Sequence, residues 1–287
     1  MIDPQRLLDW RFEEIVQTYN ERDTTIYNLG IGLGADPMDE GQLRFVTIEK
    51  DLLAFPTMAV VLARPPSISA DPRSGINRTM VVHGEQGLEL LRPLAAAGRV
   101  RSKARVSAVV DKGPGKGAVI YVETTLSDDA TGEPLARLWG STFARADGGF
   151  GGSPDAPRTP HRIPEGRAPD VVCDLPTFAN QALLYRLNGD LNPLHSDPAT
   201  ARRAGFERPI LHGLCTYGVC AHAVLRSFCG YDPARLRGFD VRFSAPVIPG
   251  ETISVEMWRD GEIVSFRAFV RARNAKVVDN GRAVVAA

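Results

Sequence analysis

Between Ala146 and Asp170 the chain reads ADGGFGGSPDAPRTPHRIPEGRAPD. Neither a helix nor a central strand can run through such a stretch, because proline lacks the amide hydrogen and each glycine gives up a large backbone freedom on ordering. A segment of this kind separates what lies on either side of it, and each side here is a piece of domain size. The expected division is a first unit over 1–148, a connector over 149–170 and a second unit over 171–287.

The two pieces share an order of signals, which predicts an internal duplication. Tyr27-Asn28-Leu29-Gly30 closes a helix-like segment early in the first piece, and Tyr185-Arg186-Leu187-Asn188 does so early in the second. Leu88 to Leu94 and Val241 to Val247 are alternating strands that each end on a proline-hydrophobic pair, and Gly98 and Gly250 then precede fresh strands. Three strands are expected next in the first piece, at Arg105 to Val110, Ala118 to Thr125 and Ala136 to Phe143. The second piece matches them with Thr252 to Trp258, Ile263 to Val270 and a short Ala283 to Ala286 run. Gly213 to Cys229 contains no proline and little polar surface, which predicts a buried helix closed by Gly230 and Pro233. One long apolar helix wrapped by a curved antiparallel sheet satisfies this order in each half. The expected fold class is therefore α+β, a hot-dog unit used twice.

Charge narrows the partners. Lysine plus arginine total 34 and aspartate plus glutamate total 34, so no summed field draws the chain to nucleic acid or to an acidic membrane, and an anion must be held locally. The four cysteines (Cys173, Cys215, Cys220, Cys229) show neither CxxC nor zinc-ligand spacing, which fits free thiols in a reducing compartment. No run of about 18 apolar residues occurs, and the first residues carry no basic region followed by an apolar core, so the expected location is the cytoplasm.

The segment with the most chemistry is Tyr185-Arg186-Leu187-Asn188-Gly189-Asp190-Leu191-Asn192-Pro193-Leu194-His195-Ser196-Asp197-Pro198. Pro193 forbids a continuous helix between Asp190 and His195, so the chain turns and can set a carboxylate and an imidazole on one side of a pocket. Asp197 and Pro198 resemble an N-cap and first helical position. Such a pair can move protons in either direction near neutral pH. The competing reading is turn chemistry around Gly189, Asp190 and Asn192, with His195 satisfying a backbone carbonyl. Pro209-Ile210-Leu211-His212-Gly213 delivers the chain to the start of the buried helix, where a Gly213 amide could stabilise an oxyanion.

The Gly-Asp-x-Asn-Pro-x-His core resembles the signature of the MaoC-like hydratases. From about Asp23 onward the chain is similar to the (R)-specific enoyl-CoA hydratase 2 enzymes of double hot-dog fold. Val82-His83-Gly84-Glu85-Gln86, Asp111-Lys112-Gly113-Pro114-Gly115 and Gly148-Gly149-Phe150-Gly151-Gly152 add to the resemblance. It implies hydration of trans-2-enoyl-CoA, with Asp190 and His195 as the catalytic pair, Asn192 positioning substrate or water, and the Gly213 amide polarising the thioester carbonyl. It also implies acyl-CoA contacts at His83, Gly84, Lys112 and Phe243, no metal or other cofactor, and a homodimer. The first half has Gly30-Ile31-Gly32-Leu33-Gly34 where the signature would stand, so it would carry no second site and would make room for the acyl tail. His195 is the favoured base for water and Asp190 the favoured partner of the α carbon.

Two other function classes remain open at this stage: a hot-dog thioesterase, and a non-catalytic acyl-CoA-binding module. Gly30 to Gly34 and Gly113 to Gly117 lack the strand-turn-helix setting of a nucleotide loop, and the second is expected to be a hairpin turn. His161, His212 and His222 are expected to be structural, and Cys215, Cys220 and Cys229 to pack as small hydrophobes.

Overall fold

In the computed structural model, which describes residues 2–286, the alternating segments pair into one antiparallel sheet. Its strands are β1 (Ile15–Tyr19), β2 (Val81–Leu90), β3 (Gly98–Asp111), β4 (Ala118–Asp128), β5 (Pro134–Ala144), β6 (Val171–Pro176), β7 (Leu236–Phe243), β8 (Thr252–Asp260), β9 (Ile263–Val270) and β10 (Ala275–Val285). They lie in the order β1-β3-β4-β5-β2-β7-β10-β9-β8-β6. Replacing each of the first five strands by the one five numbers later turns this order into its own reverse. The sheet is therefore two copies of one five-stranded unit joined edge to edge, the double hot-dog arrangement expected from the repeated signals.

The join is the β2 to β7 ladder, with Glu85 opposite Arg242, Gly87 opposite Asp240 and Glu89 opposite Gly238. Gly87 must be glycine here: a Cβ at that position would fall 1.8 Å from the Trp139 indole nitrogen, which itself donates to Asp240 Oδ1 at 3.2 Å.

The described residues also form six α-helices, α1 (Pro4–Leu8), α2 (Glu21–Gly30), α3 (Glu40–Leu43), α4 (Gln181–Tyr185), α5 (Pro198–Arg203) and α6 (Gly213–Phe228), besides several short 3-10 turns. Every residue of α6 from Leu214 to Leu225 is buried, so the mainly apolar helix is covered on all sides by the sheet and the first-half elements. It ends at Phe228 with Cys229 as its C-cap, and Gly230 then takes the left-handed conformation (φ +57°) expected of a cap glycine.

The expectation of a long helix in each half holds for the second half only. In the first, Asn20 and Asp23 form a capping box that starts α2, which stops after ten residues. The apolar run that follows is interrupted by Pro56, and forms the short 3-10 turn Pro56–Val60, buried at all five positions and packed against α6. The repeat survives in α2 and α4, which pack together with the rings of Tyr27 and Tyr185 6.1 Å apart.

Residues 146–170 contain no helix or strand. They are nonetheless tied to both halves. Asp111 accepts the amides of Gly149 and Gly151, the Arg158 guanidinium lies 4.6 Å over the Trp139 ring, and the His161 carbonyl accepts from Asn280 on β10. All four cysteines are buried and unbridged, and among the described residues no helix is long and apolar enough to cross a membrane.

Candidate active site

After α4 the chain makes a 3-10 turn, Arg186–Asn188, and leaves it through Gly189 at φ +104°, a conformation glycine adopts without strain. Asp190 follows, its Oδ1 accepting the Asn192 amide at 3.2 Å. Pro193 keeps Asn192 out of the helical region, and the Asn192 Oδ1 then accepts the Leu194 amide to cap the turn Pro193–His195. Asp197 caps α5 through the amides of Ala199 and Thr200. His195 thus sits between two capped turns. Asn192 works within the loop, holding Asp190 by its amide and the His195 turn by its side chain.

The Ile210 carbonyl can only accept, so His195 Nδ1, 2.9 Å away, is the nitrogen that carries the proton, and Nε2 keeps its lone pair. His212 lies against it with ring centroids 3.8 Å apart and planes 28° from parallel. Its Nε2 donates to the Asp190 main-chain carbonyl at 3.1 Å. Asp190, His195 and His212 bring one carboxylate oxygen and two ring nitrogens within 4.8 Å of one another. That donor set could attract a metal ion, but stacked rings hold their in-plane lone pairs nearly parallel, so the two imidazoles do not converge on one point. The arrangement suits proton transfer better than ligation.

Arg64, from the first half, places Nη1 3.5 Å from Asp190 Oδ2. Burial works to raise the Asp190 pKa, yet the Arg64 guanidinium, the Asn192 amide and the two imidazoles together hold it below the usual carboxylate value. Burial lowers His195 below the usual imidazole value, against the Ile210 carbonyl and the Asp190 charge. Burial and the neighbouring His195 push His212 down to about 4. Near neutral pH the cluster is one carboxylate and two neutral rings.

Beside them lies the start of α6. The amides of Cys215 and Thr216 return to the His212 carbonyl, while the first turn of any helix has amides with no intrahelical acceptor. A Cβ at Gly213 would lie 3.6 Å from the Phe243 ring, and that ring meets His83 with centroids 4.9 Å apart. His83 is angled by a β-bulge. It pairs with Thr142 and Glu85 pairs with Ser141, so Gly84 is the extra residue, and a Cβ there would meet Ser141 Oγ at 2.7 Å. Burial and then the Arg64 charge lower His83 to about 4, with the Glu85 backbone and Asp190 opposing. The structure therefore gathers Asp190, His195, Gly213, Phe243 and His83, with Gly84 shaping the approach.

Lys112 stands apart. It is exposed on the tight turn between β3 and β4, where Gly113, Gly115 and Gly117 all have positive φ. In the sheet, Asp111 pairs with Ala118, Ala118 with Ala144 and Ala144 with Val81, which puts Lys112 three strand spacings, about 14 Å, from β2. Sequence reasoning missed two members of the cluster. Arg64 lies in a segment with no motif, and His212, expected to be structural, has its place in the cluster because it is the residue immediately before α6.

Residues 160–280 match the family described as MaoC like domain, and residues 17–146 match the MFE-2 hydratase 2 N-terminal domain. The probable enoyl-CoA hydratase 2 of Dictyostelium discoideum is 35% identical over 99% of this chain and 97% of its own. The peroxisomal enoyl-CoA hydratase 2 of Arabidopsis thaliana is 38% identical over 95% of this chain and 92% of its own. Among solved structures, a MaoC-like dehydratase from Phytophthora capsici superposes with a TM-score of 0.85 at 36% identity, covering 98% of both chains.

Proposed function

The chain belongs to the MaoC-like, enoyl-CoA hydratase 2 family, and from that premise we propose that it is a hydro-lyase converting trans-2-enoyl-CoA and water to (3R)-3-hydroxyacyl-CoA, reversibly. The observation that carries the reading is the ionised Asp190 beside a neutral His195 whose Nε2 is free, with the first amides of α6 next to them.

Hydration places a hydroxyl on C3 and a proton on C2, with negative charge passing through the thioester oxygen. The Gly213 amide, at the positive end of a 16-residue helix, meets that charge. His195 Nε2 takes a proton from water as the oxygen attacks C3. Neither side chain holds a spare proton beforehand, so the one delivered to C2 is the one taken from water. Asp190, within 4.8 Å, passes it on. The sum is one water added and no change in the protonation of the protein. Such closely coupled groups act as a unit. His83 and Phe243 wall the thioester, Lys112 meets a CoA phosphate, and the acyl tail occupies the first half, where the short turn Pro56–Val60 replaces a long helix.

The protein alone, given trans-2-enoyl-CoA, should reduce the absorbance of the conjugated thioester and yield the 3R product. Appearance of free CoA thiol while the double bond survives would overturn this in favour of a thioesterase. We place the enzyme in the cytoplasm on the strength of its four unbridged thiols, and read it as a homodimer; cell fractionation and analytical sedimentation test the two points.

A further inference from the structure

We infer that His212 is a positioning residue for this hydration: its Nε2 proton holds the main chain of Asp190, and its ring face fixes the plane of His195. The inference rests on the hydration chemistry above. His212 is 1% exposed and occupies the N-cap position of α6, yet its side chain makes no capping hydrogen bond, so the helix start does not require it. Instead it reaches 22 residues back, to the Asp190 carbonyl. Among the described residues the Asp190 side chain is held by the Asn192 amide and Arg64, and this bond to its main chain joins the two that Ile210 makes with Leu194 and His195 in tying the loop to the oxyanion end of α6.

His195 is constrained in the same way from two sides. Ile210 fixes its Nδ1, and the stacked His212 ring stops it from turning about that bond. Behind His212 stands Tyr185, with centroids 5.1 Å apart, and behind that Tyr27, whose hydroxyl donates to Thr57 at 2.8 Å. The first half thus backs the ring that backs His195.

His212 Nδ1 is buried without a partner. A buried lone acceptor is unfavourable, and an apolar ring of similar shape would avoid it. The site retains the imidazole because only its other nitrogen supplies the bond to Asp190. The two rings must then be opposite tautomers, His195 with Nδ1–H and His212 with Nε2–H. Burial and the adjacent His195 keep His212 neutral, which removes it as a proton carrier.

Nitrogen NMR of the histidine-labelled wild-type protein reads the tautomers without substrate. The expected result is Nε2–H on His212, Nδ1–H on His195, and no protonation of His212 down to about pH 5. An Nδ1–H form of His212 overturns the inference, whether or not the protein proves to be a hydratase. Two variants add the kinetic side. His212→Gln keeps a donor for Asp190 but not the stacking ring, and should lower kcat by about three- to tenfold, less than loss of the donor does. His212→Phe keeps a stacking ring without the donor, and should lower kcat roughly 10- to 100-fold with KM within about twofold, the cost of a small misplacement of reacting groups. Equal, wild-type kcat in both variants means a packing role only. Loss of activity in both, with a changed acid limb in the pH profile, means a proton carrier. Either outcome refutes the assignment, and if the phenylalanine variant does not fold, the tautomers and the glutamine variant still decide it. Absence of hydratase activity in the wild-type protein would instead fail the underlying reading of function.

Discussion

Asp190→Asn separates the chemistry of the site from its architecture. The oxygen that accepts the Asn192 amide is retained, so the loop keeps its shape. What disappears is one negative charge and its pairing with Arg64 at 3.5 Å. The two side chains are 44% and 34% exposed, so that pair contributes at most about 1 kcal/mol. In a chain of this size 1 kcal/mol moves the melting temperature by roughly 2–4 °C. Loss of a proton-handling group costs about 10²–10⁴-fold in rate, which at 1.36 kcal/mol per tenfold is about 2.7–5.4 kcal/mol of barrier. The expected variant is therefore folded and nearly inactive, with melting followed by circular dichroism and turnover by enoyl absorbance. Its residual activity carries a second signature. Burial lowers the His195 pKa and the Asp190 charge opposes that, so removing the charge lets the pKa fall further. The acid limb of kcat/KM should move to lower pH. Turnover within about tenfold of wild type, or an acid limb displaced upward, would refute the reasoning.

As the proposed base, neutral His195 has a folded pKa below the usual imidazole value, so kcat/KM should be flat through neutrality and decline only below about pH 6.5; a midpoint above that speaks against His195. Gly87→Ala forces the Trp139 indole away from Asp240 and should destabilise by about 2–4 kcal/mol, a fall in melting temperature of roughly 5–15 °C. Added to Trp139→Leu it should cost much less, and full additivity would show that the indole is not what the new methyl meets. Lys112→Ala should raise KM for CoA thioesters but not for a truncated pantetheine thioester, with the difference shrinking as salt screens the phosphate; equal impairment of both substrates would remove Lys112 from the CoA phosphates.

Much of this was legible because the signals are local. Gly213 to Cys229 has no proline, continuous apolarity and a glycine at its end, and α6 closes within one residue of the expected stop. The loop from Gly189 to Asp197 could be read because proline, asparagine and aspartate each impose a conformation on their immediate neighbours. The missing helix of the first half was not legible from the repeated signals, since apolar residues on both sides of Pro56 fit a helix until the backbone is broken there. Arg64 and Asp190 lie 126 positions apart, and no pattern in either neighbourhood encodes their meeting. The place of His212 was hidden for a related reason: it was expected to be structural, but that it lies beside His195 depends on how the strand ends and α6 converge. The β2 to β7 ladder was equally hidden, because strand alternation sets which face a residue occupies and leaves open which strand lies alongside.

That ladder has a consequence for inheritance. In a symmetric pair of identical single units, any substitution appears on both sides of the joint, and must be tolerated in two places at once. A chain in which β2 and β7 are separate stretches of one gene meets no such condition. One copy of the loop could keep Asp190 and His195 while the other drifted to Gly30-Ile31-Gly32-Leu33-Gly34. One long helix could be lost while its counterpart α6 was kept. Tyr27 and Tyr185, still identical and still facing each other, mark where the two copies have not yet been free to part.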